Sequence, residues 1–243
     1  MVFNLRLKEE VAVFTKDLFY ALFEKEAKQK EELKYLKAVF LKFSVALSVK
    51  NGEAVWKTFS DKLHLVKKQI ELDAIAAKDN DPACKSLEEI YLAYPGFHAI
   101  AVYRLSHEFY KLDLYILSRM MSEYIHGITG IDIHAGATIG DSFFIDHGTG
   151  VVIGETAIIK SQVQIYQGVT LGGIQVKKSL ASTKRHPTIE DNVTIYANAT
   201  ILGGDIVIGA NSIIGANVWI TESVPKNSLV TYQSEIKIKT RKK

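Results

Sequence analysis

The run DIHAGATIGDSFFIDHGTGVVIGETAIIKSQVQIYQGVTLGG (132–173) carries an apolar residue at every sixth position: Ile133, Ile139, Ile145, Val151, Ala157, Val163 and Val169. After an irregular stretch the beat resumes at Ile189, Ile195 and Ile201. It slips by one residue near Gly203-Gly204 and continues at Ile208, Ile214 and Ile220. A strand of an ordinary antiparallel sheet would alternate with period two, and an amphipathic helix would repeat near 3.6. A period of six predicts a solenoid in which each flat face takes one hexapeptide. Aliphatic side chains then point inward from every face, and small residues turn the corners. Three faces make a coil of about 18 residues, and the two tracts supply about five coils, enough to bury a continuous core. Ile-Gly at 139–140, 208–209 and 214–215 suits tight corners. The slip near Gly203 reads as one extra residue at a corner.

Before residue 129 the spacing is helical. Val11, Phe14, Leu18 and Leu22 form one stripe, Leu36, Phe40, Phe43 and Leu47 a second, and Trp56, Phe59, Leu63, Val66 and Ile70 a third. Asn51-Gly52 is expected to stop the second helix. Asp79-Asn80-Asp81-Pro82 should end the third, and Ser86 with Glu89 suggests a capping box. Beyond Pro95-Gly96 one longer helix is expected from His98 to about Tyr124. The predicted organisation is α + β. A helical domain covers 1–128, a parallel β-helix 129–232 with an extruded loop at 174–184, and a basic tail 233–243.

The chain has 243 residues, 47% hydrophobic and 23% charged, with a formal net charge of +3. That charge is too small and dispersed to point to nucleic acid. Cys84 is the sole cysteine, which excludes an intramolecular disulfide and reads as a structural thiol. MVFNLRLKEEVAVF at the start meets charge too early for a signal peptide, and no apolar run approaches the roughly 20 residues needed to cross a bilayer. A soluble, cytoplasmic protein is expected. The closing KIKTRKK reads as a solvated tail.

DIHAGATIGDSFFIDHGTGVVIGETAII (132–159), QGVTLGG (167–173) and RHPTI (185–189) resemble the serine acetyltransferase family of hexapeptide-repeat acyltransferases. So do DPA (81–83) and PGFHAIAVYR (95–104) in the helical half. The resemblance runs over roughly 81–232 and joins both domains. It implies a left-handed β-helix and transfer of an acetyl group from acetyl-CoA to L-serine, the first step of cysteine biosynthesis from serine. Acetyl-CoA is then a co-substrate, and no resident cofactor or metal is expected.

A serine hydroxyl is too weak an acid to ionise unaided near neutral pH, so the transfer needs a base, and histidine titrates in the right range. His147, within Asp146-His147-Gly148, is the candidate; spacing alone equally suits a polar corner residue facing water. A base also needs a carboxylate to fix its tautomer. Asp132, 15 residues earlier, can approach from the neighbouring coil, and the resemblance implies this pair as the catalytic dyad. It further implies that Asp81 and Asp146 face the substrate ammonium and that Arg185 and His186 hold its carboxylate from a neighbouring subunit. An arginine fork suits a carboxylate, while Asp81-Pro82 also suits a plain turn. Gly173, Ala197 and Ala216 match the positions lining the acetyl-CoA channel, though each also suits a packing corner. Lys177, Lys178 and Lys184 in the extruded loop could attract phosphates. The other histidines, His98 and His134 among them, read as structural.

Competing readings are an acetyltransferase of the same fold acting on another hydroxyl acceptor, a zinc lyase using His134, His147 and His186, and a non-enzymatic scaffold. The resemblance implies a homotrimer, paired through the N-terminal helices into a hexamer, and inhibition by cysteine. Relatives bind O-acetylserine sulfhydrylase through a tail ending in isoleucine. This chain ends Thr240-Arg241-Lys242-Lys243, which weighs against that complex.

Overall fold

The computed structural model describes residues 4–174 and 183–233. The expectations for Lys177, Lys178 and the basic tail beyond residue 233 lie outside the described residues. Among the described residues seven helices precede the strands: α1 (Leu7–Ala21), α2 (Glu26–Ala46), α3 (Gly52–Ser60), α4 (Leu63–Asn80), α5 (Leu87–Ala93), α6 (Pro95–Tyr110) and α7 (Tyr115–Thr129). Among the described residues no helix is long and apolar enough to cross a membrane.

The apolar stripes bury as expected: Val11, Phe14, Leu18, Phe40, Phe43, Phe59 and Ile70 are all within 2% of full burial. Phe59 and Phe109 stack at 3.9 Å, and Phe40 joins Phe109 at 5.5 Å, so α2, α3 and α6 share one aromatic core. Aromatic pairs of this kind add about 0.5–1.5 kcal/mol beyond their buried area.

Three boundaries differ from the sequence reading. Asn51-Gly52 does not stop α2. Asn51 adopts the left-handed conformation and caps α3 through its side chain, while Ser48 makes the turn just after α2. The third stripe is split between α3 and α4. The single helix expected from His98 to Tyr124 is two helices, broken where Asp113 takes φ 61°. Leu112 and Leu114 kept the apolar spacing going across that break.

The strands wind as a left-handed parallel β-helix with three faces. The first face stacks β1 (Asp132–Ile133), β4 (Val152–Ile153), β7 (Thr170–Gly172), β10 (Thr200–Leu202) and β13 (Trp219–Ile220). The second stacks β2 (Thr138–Ile139), β5 (Ile158–Ile159), β8 (Thr188–Ile189) and β11 (Val207–Ile208). The third holds β3 (Phe144–Ile145), β6 (Gln164–Ile165), β9 (Thr194–Ile195), β12 (Ile213–Ile214) and β14 (Leu229–Val230).

Coil lengths are not uniform. Asp132 pairs with Val152, twenty residues on; Val152 pairs with Thr170, eighteen on; Ile158 pairs with Thr188, thirty on. Thr188 pairs with Val207, nineteen on, so the slip near Gly203 is one extra corner residue. The first coil is therefore two residues longer than the sequence reading allowed. Through the first coils both the inward residue of a strand and the residue two before it are apolar and buried, as in Phe143/Ile145 and Val151/Ile153. The six-residue beat passed from one position to the other between Ile145 and Val151 and hid the insertion.

The helical half docks on the first coil through polar anchors. Arg104 of α6 forks onto Asp73 of α4, with Nη2 donating to Oδ1 at 2.7 Å and Nε donating to Oδ2. The same guanidinium donates to the carbonyls of Gly140 (2.8 Å) and Ile139 (3.3 Å), and Phe143 N–H donates to Asp73 at 2.9 Å. Tyr103 Oη donates to Ala137 O at 2.6 Å. At Gly96 an added Cβ would stand 2.2 Å from the carbonyl oxygen of Ile145, so α6 meets β3 backbone to backbone. These contacts bring the C-terminal end of α4, and Asp81 with it, beside the third face.

Candidate active site

The corner between the third and first faces is knitted by a ladder of backbone bonds. Gly150 N–H donates to Gly130 O, Gly168 N–H to Thr149 O, Asn198 N–H to Gln167 O, and Asn217 N–H to Ala197 O, at 2.8–3.0 Å. Gly150, Gly168, Asn198 and Asn217 hold equivalent places, all at φ between 60° and 81°. Six residues separate Ile145 from Val152, whereas four separate Ile165 from Thr170. The surplus falls at His147-Gly148, with φ of 57° and 86°. A non-glycine residue in this region costs about 1–2 kcal/mol, and such strain clusters at functional sites. The bulge leaves the His147 side chain 70% exposed, its Nδ1 3.7 Å from Asp146 Oδ1.

Asp81 caps the C-terminus of α4 and reaches the same place. Its Oδ2 accepts the Tyr94 hydroxyl at 2.5 Å and its Oδ1 accepts Ala83 N–H at 2.8 Å. The bond from Tyr94, then that from Ala83, holds this carboxyl below the usual range, and the nearby His147 imidazole adds to the effect. The Asp81 carboxylate in turn pushes the Tyr94 hydroxyl up. Tyr166 lies in the field of both Asp146 and Asp81, and stacks on Tyr196 at 5.0 Å with 19° between the rings. The structure thus gathers Asp81, Asp146 and His147, with three tyrosines that sequence reading passed over.

Arg185 and His186 stand at a different corner, between the first and second faces. Arg185 Nη2 pairs with Glu155, whose other oxygen accepts the Tyr110 hydroxyl at 2.8 Å. The Tyr110 hydroxyl is raised to about 12, by burial and by that carboxylate. His186 Nδ1 accepts Thr156 N–H at 3.1 Å and lies 2.9 Å from Thr156 Oγ1. Burial, with the Arg185 cation second, pushes the His186 imidazole down to about 4. A cavity of about 420 Å³, lined by Tyr110, Ile116, Arg119, His134 and Glu155, opens beside this group.

Asp132 sits on the first face between the two corners. It makes no hydrogen bond or ion pair with His147 among the described residues of one chain. Its carboxylate clusters instead with Glu123 and His126, ligand-bearing atoms all within 4.8 Å. Ala197 lies on the His147 corner, where its carbonyl accepts Asn217 N–H, and Ala216 is the residue before Asn217. Gly173 lies on the other corner, where an added Cβ would be 3.1 Å from Arg185 O. The small residues named for the cofactor channel therefore divide between the two corners. His98 and His107 are spent on structure, their ring nitrogens 2.7 Å from the carbonyls of Tyr91 and Ala135. His134 joins the Arg185 corner, T-shaped against Tyr110 at 5.8 Å. His134 and His186 are thus on one corner and His147 on another, so a three-histidine metal site does not form within the chain.

Residues 14–102 match the family model described as serine acetyltransferase, N-terminal. A plasmid serine acetyltransferase of Synechococcus elongatus is 42% identical over 197 residues, 79% of this chain and 61% of that protein. A serine acetyltransferase of Bacillus pumilus is 50% identical over 51% of this chain, and the match spans 56% of that relative. Among solved structures, serine acetyltransferase isoform 3 of Entamoeba histolytica in complex with cysteine superposes with a TM-score of 0.81 at 36% identity. It covers 96% of this chain and 84% of that one. The Neisseria gonorrhoeae serine acetyltransferase in complex with serine gives a TM-score of 0.68 at 30% identity, covering 92% and 82%. Similar throughout both its helical half and its solenoid to proteins of this kind, the chain belongs to the serine acetyltransferase family.

Proposed function

We propose that the chain transfers the acetyl group of acetyl-CoA to the hydroxyl of L-serine, with His147 as general base. The single observation that carries this reading is the His147 bulge. It puts one exposed imidazole 3.7 Å from Asp146 and within electrostatic reach of Asp81, an arrangement suited to a hydroxyl that carries an ammonium beside it. In the proposed step His147 takes the hydroxyl proton as the serine oxygen bonds to the thioester carbonyl carbon. The carbon–sulfur bond then breaks, and the proton passes from His147 to the departing thiolate. A His positioned for such transfer contributes about 10²–10⁴-fold.

The substrate carboxylate is assigned to Arg185 and His186. Because these lie on another corner of the same chain, the reading places the site between copies, in a homotrimer whose N-terminal helices pair two trimers. Asp132, which does not meet His147 within one chain, is assigned to orient the His147 of a neighbouring copy. Ala197, Ala216 and Gly173 are assigned to acetyl-CoA, which enters as co-substrate, and no resident cofactor is invoked. Cysteine shares the ammonium and carboxylate of serine and is proposed as a competitor. The relatives solved with serine and with cysteine support both assignments. Biosynthesis with acetyl-CoA fits a cytoplasmic setting.

The test is release of CoA thiol from acetyl-CoA on adding L-serine, compared with L-homoserine and a galactoside. Serine-dependent release that falls about 10²-fold or more in His147→Ala supports the reading. Release with the galactoside alone would move the function to another acceptor, and no release with any acceptor would leave a scaffold.

A further inference from the structure

The Arg185-His186 pair does not hold itself in place. Three consecutive residues of the preceding coil, Gly154-Glu155-Thr156, meet it at both backbone N–H groups, at His186 Nδ1 and at Arg185 Nη2. Thr156 Oγ1 accepts the backbone N–H of Arg185 at 2.9 Å and that of His186 at 3.2 Å. Thr156 N–H donates to His186 Nδ1 at 3.1 Å, and Glu155 pairs with the Arg185 guanidinium. Beneath the ring, Gly154 leaves the space it needs: an added Cβ would stand 2.1 Å from both Nε2 and Cδ2 of His186. Glu155 is itself anchored by the Tyr110 hydroxyl of α6.

We propose that Gly154-Glu155-Thr156 is a seat that positions Arg185 and His186, with Thr156 fixing His186 as a neutral imidazole protonated on Nε2. This rests on the assignment of Arg185 and His186 to the substrate carboxylate. The chemistry follows from the donor pattern. A backbone N–H can only donate, so the Nδ1 that receives it carries a lone pair, and the ring proton must be on Nε2. Arg185 then supplies the positive charge toward a carboxylate, and His186 supplies a directed N–H that does not depend on its own protonation. The low titration of His186 agrees with this geometry. Thr156 is a positioning residue, acting through the two side chains it holds.

Two variants test it in the full-length protein. Thr156→Val keeps the side-chain volume but removes the oxygen that accepts two N–H groups; Thr156→Ser restores that oxygen. Steady-state kinetics with L-serine and with L-serinamide separate carboxylate recognition from general damage. In Thr156→Val the KM for L-serine should rise about tenfold, as two backbone N–H groups lose their acceptor and the pair loosens. The KM values for acetyl-CoA and L-serinamide should stay within about twofold, and Thr156→Ser should return the serine KM to the wild-type value. Independently, ¹⁵N spectra of ring-labelled histidine should show His186 as the Nε2–H tautomer throughout pH 5.5–8 in the wild type. The same tautomer should persist in Thr156→Val, because the backbone N–H that donates to Nδ1 is kept.

An unchanged serine KM in Thr156→Val, an equal rise for L-serinamide, or failure of Thr156→Ser to restore it overturns the proposal. So does a wild-type His186 protonated on Nδ1. A wild-type protein that acetylates no serine would sink the assigned activity instead, and the ¹⁵N spectrum would still decide the seat.

Discussion

Replacing Asp73 by alanine should cost the protein a large part of its stability, and the reason lies in what is left behind. Asp73 is 1% exposed and Arg104 4%. In the native protein the guanidinium gives two hydrogen bonds to Asp73 and one each to the carbonyls of Ile139 and Gly140. Without Asp73 a buried cation keeps only the two neutral carbonyls, and Phe143 N–H loses its acceptor as well. Breaking a buried pair on one side costs about 3–5 kcal/mol, a fifth or more of the roughly 5–15 kcal/mol that holds a typical domain together. Removing both partners should be milder, because no charge is stranded. Asp73→Ala with Arg104→Met should therefore recover most of the loss. Urea unfolding would measure it, followed by circular dichroism and by tryptophan emission. Trp56 reports from the buried helical core and Trp219, 70% exposed, from the solenoid. A change within about 1 kcal/mol for Asp73→Ala, or a double variant no more stable than the single one, would refute the reasoning.

Three further outcomes follow from the same geometry. Tyr94→Phe removes the donor to Asp81 Oδ2, so the Asp81 carboxyl should move back toward the usual range. The serine KM should rise several-fold with that for acetyl-CoA unchanged, as one hydrogen bond to a charged group predicts. Gly154→Ala should push the His186 ring off its place, lowering stability by about 1–3 kcal/mol and weakening serine binding more than acetyl-CoA binding; equal effects on both would refute it. Burial lowers His186, to about 4, and also lowers His107 and His134. Below the free-histidine value near 6.5 the unfolded chain binds protons that the folded chain refuses, so stability is lost as pH falls from 6.5 toward 4. The thermal midpoint should climb between pH 4 and 6.5, and climb less in His186→Gln; a flat profile would count against the buried, neutral assignment.

The solenoid was legible because its inward positions are set by burial alone, and burial selects Ile and Val at a fixed spacing. The seven-helix half was legible as helix but not in its breaks. Asp113 and Ser48 end helices by adopting positive φ, which neither residue type announces. The Asp73–Arg104 anchor joins positions 31 apart and has no local signature. At the candidate site, the family resemblance pointed to Asp81, Asp146 and His147. That they gather while Arg185 and His186 stand on another corner depends on coil lengths, which a repeat of six could not reveal. Tyr94, Thr156 and Glu155 were missed because each works through a neighbour rather than through its own chemistry.

The two surplus residues at His147-Gly148 have a consequence for how such a protein can change. Later coils resemble one another closely enough that one could be gained or lost, the asparagine stacks Asn192–Asn211–Asn227 and Asn198–Asn217 simply lengthening or shortening. The first coil is not interchangeable with them. Its bulge marks one end of the rod, fixed against the helices by Arg104 and Gly96, so growth among the last coils leaves the histidine where it is.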